Sequence, residues 1–196
     1  MSLFPFNLPW ARNTKQQSDA GTRIGRGFVA IETFDDPAAL SAAGVLAATT
    51  LADGATTTVT TGITNPDYPR SLSIVANAAQ TGNVVITGTN RAGKVITETL
   101  VANGTTAVNG TKAFATVTQV VLPARADVGR TISVGAGNKL GLANKLAVNT
   151  VLATYHDGTL EGTAATVATN ADDLESNTIL LDTALDGSEV VALYVA

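Results

Sequence analysis

The chain offers few residues that could carry out acid–base or nucleophilic chemistry. It contains one histidine, His156, and no cysteine. A Ser-His-Asp catalyst needs a histidine that is oriented by a carboxylate and that contacts a nucleophile. His156 instead precedes the turn dipeptide Asp157-Gly158, and no nucleophile-elbow sequence is present. We therefore predict an exposed turn histidine and a protein that is not an enzyme.

Carboxylate pairs occur at Asp35-Asp36 and Asp172-Asp173. Asp36 is explained as the N-cap of a short helix. Asp172, Asp173 and Glu175 could bind Ca²⁺ weakly, but the spaced Asp/Asn pattern with a glycine and a terminal glutamate is missing. A solvated acidic loop is the simpler interpretation, and weak ion binding is its alternative. The sequence predicts no cofactor and no dedicated metal site.

A glycine-rich stretch could be taken for a phosphate-binding loop; it runs Gly135-Ala136-Gly137-Asn138-Lys139-Leu140-Gly141. The dinucleotide form needs a long helix after it, and there is no room for one before the next strand. The phosphate-loop form needs Ser or Thr after the lysine, and Leu140 follows Lys139. We predict a glycine turn. The twelve Lys and Arg residues are scattered through a chain of net charge −4, so no nucleic-acid interface is predicted.

The elements around these residues are predicted to be strands. Short runs rich in β-branched residues, separated by Gly, Asn and Asp turns, are typical of antiparallel sheets. The predicted strands cover residues 28–34, 72–76, 84–89, 94–100, 113–122, 130–134, 146–155, 161–168, 178–181 and 189–195. A hairpin around Asp53-Gly54 would join residues 45–51 and 56–63. One short helix is predicted at 37–43, because Asp36, Pro37 and Gly44 have the types of helix caps.

We therefore predict an all-β fold, an antiparallel, jelly-roll-like β-sandwich over residues 31–196, preceded by an extended arm at 1–30. The arm concentrates aromatic residues in a chain with 5% aromatics, and Pro5 and Pro9 exclude a regular helix interior. Aromatic side chains in extended segments often anchor in another subunit's pocket; packing on the chain's own core is the alternative. The predicted anchors are Phe4, Phe6, Leu8 and Trp10, with Arg12, Arg23 and Arg26 meeting an acidic surface.

Charge is distributed unevenly along the chain. Residues 1–31 contain four basic residues and one aspartate, a net charge of +3, whereas residues 151–196 contain eight carboxylates and no Lys or Arg. Such asymmetry could steer head-to-tail contacts or docking on a charged surface. No apolar run approaches the roughly 18 residues of a membrane-spanning helix, and the N-terminus does not resemble a signal peptide. We expect synthesis and residence in a cytoplasm, with no membrane partner.

Several segments resemble virion structural proteins of tailed bacteriophages. Pro66-Asp67-Tyr68-Pro69-Arg70-Ser71-Leu72 resembles the P-D-x-P-R-x-L opening found in these proteins, residues 84–93 are similar to their hairpin, and residues 96–100 and 110–118 are similar to the segments that follow. Asn138-Lys139-Leu140-Gly141-Leu142 resembles a segment that continues with proline, where this chain has Ala143. The resemblance covers about residues 56–196 and leaves the arm unmatched.

Such proteins are head decoration (cement) proteins, head fibres or other structural components. The resemblance implies a β-sandwich, commonly trimeric, that lies on the outside of the capsid and holds neighbouring capsomers together. The implied partners are the major capsid protein and further copies of this chain, and the implied location is the virion. The resemblance implies no catalytic residues. The alternative is a tail or head-fibre component that binds a carbohydrate or receptor, which predicts exposed aromatic side chains along one loop face. A hydrolase is a third possibility.

Overall fold

A computed structural model describes residues 16–17, 23–24 and 29–195, with side chains from residue 29 onward. As predicted, this part of the chain is all-β and its strands pair antiparallel. The helical element within it is a single 3₁₀ turn at Leu174–Ser176. The first pairing, β1 (Gln16–Gln17) with β2 (Arg23–Ile24), is separate from the other sheets.

Three larger sheets follow, and each is named here by its strands in spatial order. Sheet I contains β5 (Thr57–Val59), β10 (Thr116–Leu122), β7 (Asn83–Thr89) and β8 (Val95–Val101). Sheet II contains β14 (Thr166–Ala168), β15 (Thr178–Leu180), β11 (Thr131–Gly141), β6 (Arg70–Ala76) and β9 (Val108–Asn109), and β4 (Ser41–Thr50) also pairs with β11. Sheet III contains β13 (Thr159–Leu160), β12 (Val151–His156), β16 (Val190–Val195) and β3 (Val29–Phe34).

The first core lies between sheets I and II, which gives the predicted sandwich-like arrangement. Strand β8 illustrates how a sheet obtains one apolar face, because its residues alternate strictly between exposed and buried. The buried cluster takes Val84, Ile86, Ile96, Leu100, Val117, Val120 and Leu122 from sheet I, and Val45, Leu46, Leu72, Ile74, Ile132 and Val134 from sheet II. Alternating β-branched sequence therefore forms one apolar layer on each sheet.

A second core lies beside sheet III. It combines Phe34 of β3 and Val190, Ala192 and Tyr194 of β16 with Leu140, Leu142, Leu146, Ile179, Leu181 and Leu185. Strand β11 is common to both cores, since Ile132 and Val134 belong to the first core and Leu140 to the second. The pairing of β11 with β6 shifts register between Ala136 and Leu140, so one long strand contributes to both apolar clusters.

The predicted helix at 37–43 is wrong. Residues 37–40 have no regular structure and residues from Ser41 form β4. The isolated cap signals are outweighed by long-range contacts: Val45 and Leu46 enter the first core, and the backbone of Ala38 binds Asp67 and Arg70. A helix of seven residues is marginal in isolation, so the β ladder determines the conformation.

The predicted hairpin of residues 45–51 with 56–63 is reduced to one antiparallel bridge, Leu46 with Ile63, and the continuous ladder that it implied is wrong. Strand β4 pairs with β11 in sheet II, and β5 pairs with β10 in sheet I. The turn at Gly54, where φ is 61°, therefore connects two sheets. Alternation indicates which side chains face a core, but it does not indicate which strand is the hydrogen-bonded neighbour.

The glycine stretch is part of strand β11 and does not form the predicted turn. A Cβ atom at Gly135 would overlap the carbonyl oxygen of Ser41, and one at Gly137 would lie 2.9 Å from the carbonyl oxygen of Ser71. These glycines permit neighbouring backbone to approach β11 closely. No phosphate-binding geometry is needed to explain them.

Candidate functional site

The predicted arm anchors fall almost entirely outside the described residues. Phe4, Phe6, Leu8, Trp10, Arg12 and Arg26 are not described, and Arg23 is described only as a backbone position of β2. Their role therefore stays a prediction. The sites that can be built from described side chains are four buried polar clusters, the His156 region and one apolar sheet face.

His156 is not the exposed turn residue that the sequence predicted. It ends β12, and its side chain is only 10% exposed. Its Nε2 lies 3.3 Å from Oδ1 of Asp186, but the atoms are not aligned for a hydrogen bond. Hydrogen bonds from Ser188 are the main cause that lowers the pKa of Asp186, and His156 lowers it further. Between residues 29 and 195 no hydroxyl group is hydrogen-bonded to this imidazole, so the described part contains no assembled triad.

The Pro66–Leu72 segment contains the first cluster, built on Arg70. This side chain is fully buried; its Nε donates to the Gly137 carbonyl at 2.6 Å and its Nη1 donates to the Ala38 carbonyl at 2.9 Å and to Oδ1 of Asp67 at 3.0 Å. Burial acts to raise the pKa of Asp67, but hydrogen bonds from Ala38 and Arg70 outweigh it and the pKa is lowered. Arg70 and Asp67 together connect β6, β11 and the segment between β3 and β4. Their role is structural.

The second cluster surrounds Glu32, a buried carboxylate on the inner side of β3. Its Oε1 accepts from Arg91 of the β7–β8 turn, and its Oε2 accepts from the hydroxyl of Tyr194 at 2.9 Å and from the backbone nitrogen of Ala143 at 3.0 Å. The phenol also accepts from Asn144 at 2.8 Å. Burial is the main cause that raises the pKa of Tyr194 to about 12, and the negative charge of Glu32 adds to it.

This cluster gives a physical reason for the one departure from the resemblance. A proline at position 143 would have no backbone N–H, and the bond to Oε2 of Glu32 uses the N–H of Ala143. The alanine therefore matches the presence of Glu32 in this chain. The sequence contains a signal for the burial of Glu32. Glu32 lies two residues before Phe34, and residues two apart on a strand face the same side, so both are at inward positions.

The third cluster holds the β7–β8 turn against the 3₁₀ helix. Asn90, which is buried, donates from Nδ2 to Oε2 of Glu175 at 2.9 Å. Lys94 lies 3.0 Å from Asp173 and 3.7 Å from Glu175, and its hydrogen bond is the main cause that lowers the pKa of Asp173. The solvated acidic loop predicted for this segment is thus wrong for Glu175, which is buried. Among the described residues no group of three or more potential ligands is placed to hold a metal ion.

The fourth cluster is centred on Asn177, which is fully buried behind the same loop. Its Oδ1 accepts from the backbone nitrogens of Leu146 and Asn170, each at 2.9 Å. Its Nδ2 donates to the carbonyls of Asn170 at 2.9 Å and Asp173 at 2.8 Å. The single side chain of Asn177 therefore connects the backbone at Leu146, Asn170 and Asp173 by hydrogen bonds.

The described aromatic residues do not form a carbohydrate-binding row. Phe34, Phe114 and Tyr194 are buried, and Tyr68 packs edge-to-face on Phe34 with ring centroids 5.6 Å apart. The remaining described aromatic, Tyr155 on β12, is partly exposed, and no second exposed aromatic among the described residues lies beside it. A cavity of about 490 Å³ lies beside residues 79–81 and 103–105, and its lining has neither an aromatic nor a charged side chain. The stacking surface that the carbohydrate alternative requires is not found between residues 29 and 195.

The outer face of sheet III is apolar and uncovered. Its core-facing side chains are Glu32, Phe34, Thr154, Val190, Ala192 and Tyr194, all buried. The residues that alternate with them define the outer face: Val29, Ile31, Thr33, Ala153, Tyr155, Leu160, Val191, Leu193 and Val195. None of these is charged. Strand β3, which begins at Val29, is an edge strand of this sheet.

Comparisons with known proteins identify no relative. No protein-family model matches the chain. No curated protein and no solved structure matches it either. In the described residues, no helix is long and apolar enough to cross a membrane.

Proposed function

We propose that this chain is a structural protein of a tailed-bacteriophage virion, without enzymatic activity, that binds the outside of the capsid and stabilises contacts between capsomers. The observation that carries the proposal is the ordered set of segments that resemble such proteins. Three of these segments have a framework role here: Arg70 joins three strands or connections, the β7–β8 turn binds Glu32 and Glu175, and β11 belongs to both cores.

The use of the polar side chains is consistent with this role. The buried carboxylates Glu32, Glu98 and Glu175 and the buried Arg70 are bound to other parts of the same chain. Among the described residues, Oε2 of Glu98 and Nη2 of Arg70 are buried without a hydrogen bond. Groups held in this way are not free to transfer protons to a substrate. A fold whose buried charges are used for internal connections is suited to a mechanical role on a shell.

The proposed partners are the major capsid protein and further copies of this chain, as a homotrimer on the capsid surface. The proposed anchors are the arm residues Phe4, Phe6, Leu8 and Trp10, with Arg12, Arg23 and Arg26 on acidic surface. Repeated weak contacts from many copies raise the apparent stability of a shell, because binding to the assembled state shifts the equilibrium toward it. The chain would be made in the host cytoplasm and would reside in the virion.

Immunogold electron microscopy tests the location. Virions from the source of the chain are labelled with antibody against the recombinant protein, and the same antibody preabsorbed with that protein is the control. Gold distributed over the head supports capsid decoration. Gold confined to the tail contradicts it and supports the tail or head-fibre alternative.

A binding assay tests the anchors. Capsids that lack the chain are mixed with the wild type, with a variant carrying Phe4→Ser and Trp10→Ser, and with the control Val128→Ser, which changes a residue that is 72% exposed. We expect the arm variant to keep the wild-type circular dichroism spectrum and to lose co-sedimentation with capsids. Undiminished co-sedimentation of the arm variant would reject the arm as the anchor.

A further inference from the structure

The outer face of sheet III forms three continuous apolar rows. Register places Ile31 opposite Leu193 and Leu193 opposite Ala153. A second row runs through Thr33, Val191, Tyr155 and Leu160, and a third pairs Val29 with Val195. Side chains directly opposite on adjacent strands are close enough to form one surface. The face is therefore a single patch across all four strands.

The edges of this patch are well exposed, and its centre on β12 and β16 is partly exposed. Ile31 is 69% exposed, and Val29 and Leu160 are each more than half exposed. Contiguous apolar patches on soluble proteins mark interaction sites or association hazards. Phe34, Val190, Ala192 and Tyr194 point to the other side of the sheet and are buried in the second core, so the residues of the outer face do not belong to that core.

One end of the patch is acidic. Phe34 and His156 are both paired with Val190, and the residues next to them, Asp35, Asp157 and Glu189, are exposed. Asp186 lies at the same end, since it contacts His156. No Lys or Arg occurs from residue 151 onward. A ligand for this surface would combine apolar side chains with a basic segment.

We infer that the outer face of sheet III binds residues 3–10 of the same chain in the free protein. This segment contains Leu3, Phe4, Phe6, Leu8 and Trp10 and no charged residue, and the basic residues Arg12 and Lys15 follow it. Its composition therefore matches an uncharged apolar patch with an acidic end. Docking removes two apolar surfaces from water at once, which an isolated chain otherwise exposes together.

The covalent connection is long enough. Gln16 pairs with Ile24, so residues 17–23 add nothing to the distance that the linker can span. Residues 25–28 and 11–15 remain, and nine extended residues span at most about 30 Å. A four-stranded sheet of six-residue strands is roughly 20 Å long and about 14 Å wide. The segment can therefore reach every part of the face of its own sheet, at the high effective concentration of a tethered ligand.

The first test uses the single tryptophan, Trp10. In the full-length protein we expect acrylamide to quench Trp10 several-fold less efficiently than free tryptophan amide, independently of protein concentration. Ile31→Asp should restore efficient quenching, because a carboxylate on the patch opposes docking of an apolar segment. The matched control is Val128→Asp, which places the same charge at an equally exposed valine outside sheet III. Equal quenching of Trp10 in both variants overturns the inference, as does protection that is lost on dilution.

The second test identifies which copy supplies the segment. The chain has no cysteine, so Ile31→Cys can be combined in turn with Phe4→Cys, Phe6→Cys and Leu8→Cys without competing thiols. A disulfide forms only when the two Cα atoms approach within about 7 Å. We expect at least one pair to give an intrachain bond and a monomeric species, and the same arm cysteines combined with Val128→Cys to stay reduced. Bonds formed only between chains would assign the face to a second copy and overturn the inference.

This inference concerns the free protein and does not rest on the virion role. Absence of gold from virions would leave the protection of Trp10 unchanged. Conversely, an unprotected Trp10 in solution would not alter the distribution of gold on virions.

Discussion

Replacing Arg70 by methionine is the most informative test of the framework, because this side chain joins three parts of the chain. The substitution keeps an unbranched stem in the core and removes the guanidinium. It deletes the bonds to the carbonyls of Gly137 and Ala38 and to the carboxylate of Asp67. The two carbonyls and the carboxylate then lose a charged donor.

The expected loss is about 3–5 kcal/mol in the free energy of unfolding, the cost of leaving a partner of a buried ion pair unpaired. Single hydrogen bonds to charged groups are worth about 1.5–3 kcal/mol, but Asp67 is partly exposed and recovers some hydration. The Nη2 atom of Arg70 is buried without a hydrogen bond within the described residues, so its removal offsets part of the loss. These opposing effects keep the estimate below the sum of the three bonds.

Arg130→Met is the matched control. Arg130 also binds an aspartate three residues away and one backbone carbonyl, Asp127 at 3.4 Å and Ala79 at 3.0 Å, but the pair is exposed. Its loss should cost less than about 1 kcal/mol. Urea unfolding followed by circular dichroism gives both values at constant m. If Arg70→Met does not fold, Arg70→Lys, which keeps the charge but not the planar fork, should lose more stability than Arg130→Met and less than the loss of about 3–5 kcal/mol expected for Arg70→Met. Equal losses for Arg70→Met and Arg130→Met would refute the reasoning.

The same variant has a predicted pH dependence. The pKa of Asp67 is lowered from its usual value near 3.8 in the folded protein. A depressed carboxylate pKa contributes stability above the unfolded pKa and loses it as pH falls through the folded pKa. The difference between wild type and Arg70→Met should therefore be constant at neutral pH and shrink below about pH 4. A difference that does not change on acidification would show that the ion pair contributes nothing.

Three further substitutions test other contacts. Gly135→Ala should cost about 1–3 kcal/mol through backbone overlap, whereas Gly162→Ala, with no atom within 4 Å of its Cβ, should change stability by less than about 0.5 kcal/mol; equal effects would contradict the packing account. Tyr194→Phe should lower the free energy of unfolding by about 1–3 kcal/mol. Because the pKa of Tyr194 is raised to about 12, this contribution is present below pH 10 and is lost as pH rises toward about 12. Absorbance titration of the phenol checks the raised pKa. Asn177→Ala should cost about 3 kcal/mol in urea unfolding, against less than about 1 kcal/mol for the exposed Asn149→Ala; similar losses would show that the loops do not depend on Asn177.

The strand content could be predicted because it depends on neighbours in sequence. In β8 the residues Ile96 and Leu100 alternate with Thr97 and Thr99, and a two-residue period is enough to assign a half-buried strand. Residues 90–93 connect two predicted strands, and Gly93 has a φ of 78° that glycine tolerates. Such features need no knowledge of the partner strand.

The wrong predictions all concern positions whose conformation depends on distant residues. The cap types near Asp36 favour a helix locally, but the ladder of β4 with β11 lies about 90 residues away along the chain. Gly135 has the residue type of a turn, and only the close approach of Ser41 explains its place in a strand. His156 has the local sequence context of a turn residue, but β16 and Asp186 lie against it and partly bury it.

The sequence by itself determined that this chain is an antiparallel β protein, because residue type and a period of two are local properties of the backbone. It also showed an aromatic arm, a basic head and an acidic tail. Tertiary structure alone decided that Glu32, Arg91 and Tyr194 meet, since 59 and 162 residues separate Glu32 from its partners. It also decided that one apolar face of sheet III is left partly exposed by the described residues. Many distant strands have similar composition, so the sequence does not specify which strands pair or which side chains pack together. These contacts are defined only in the folded chain.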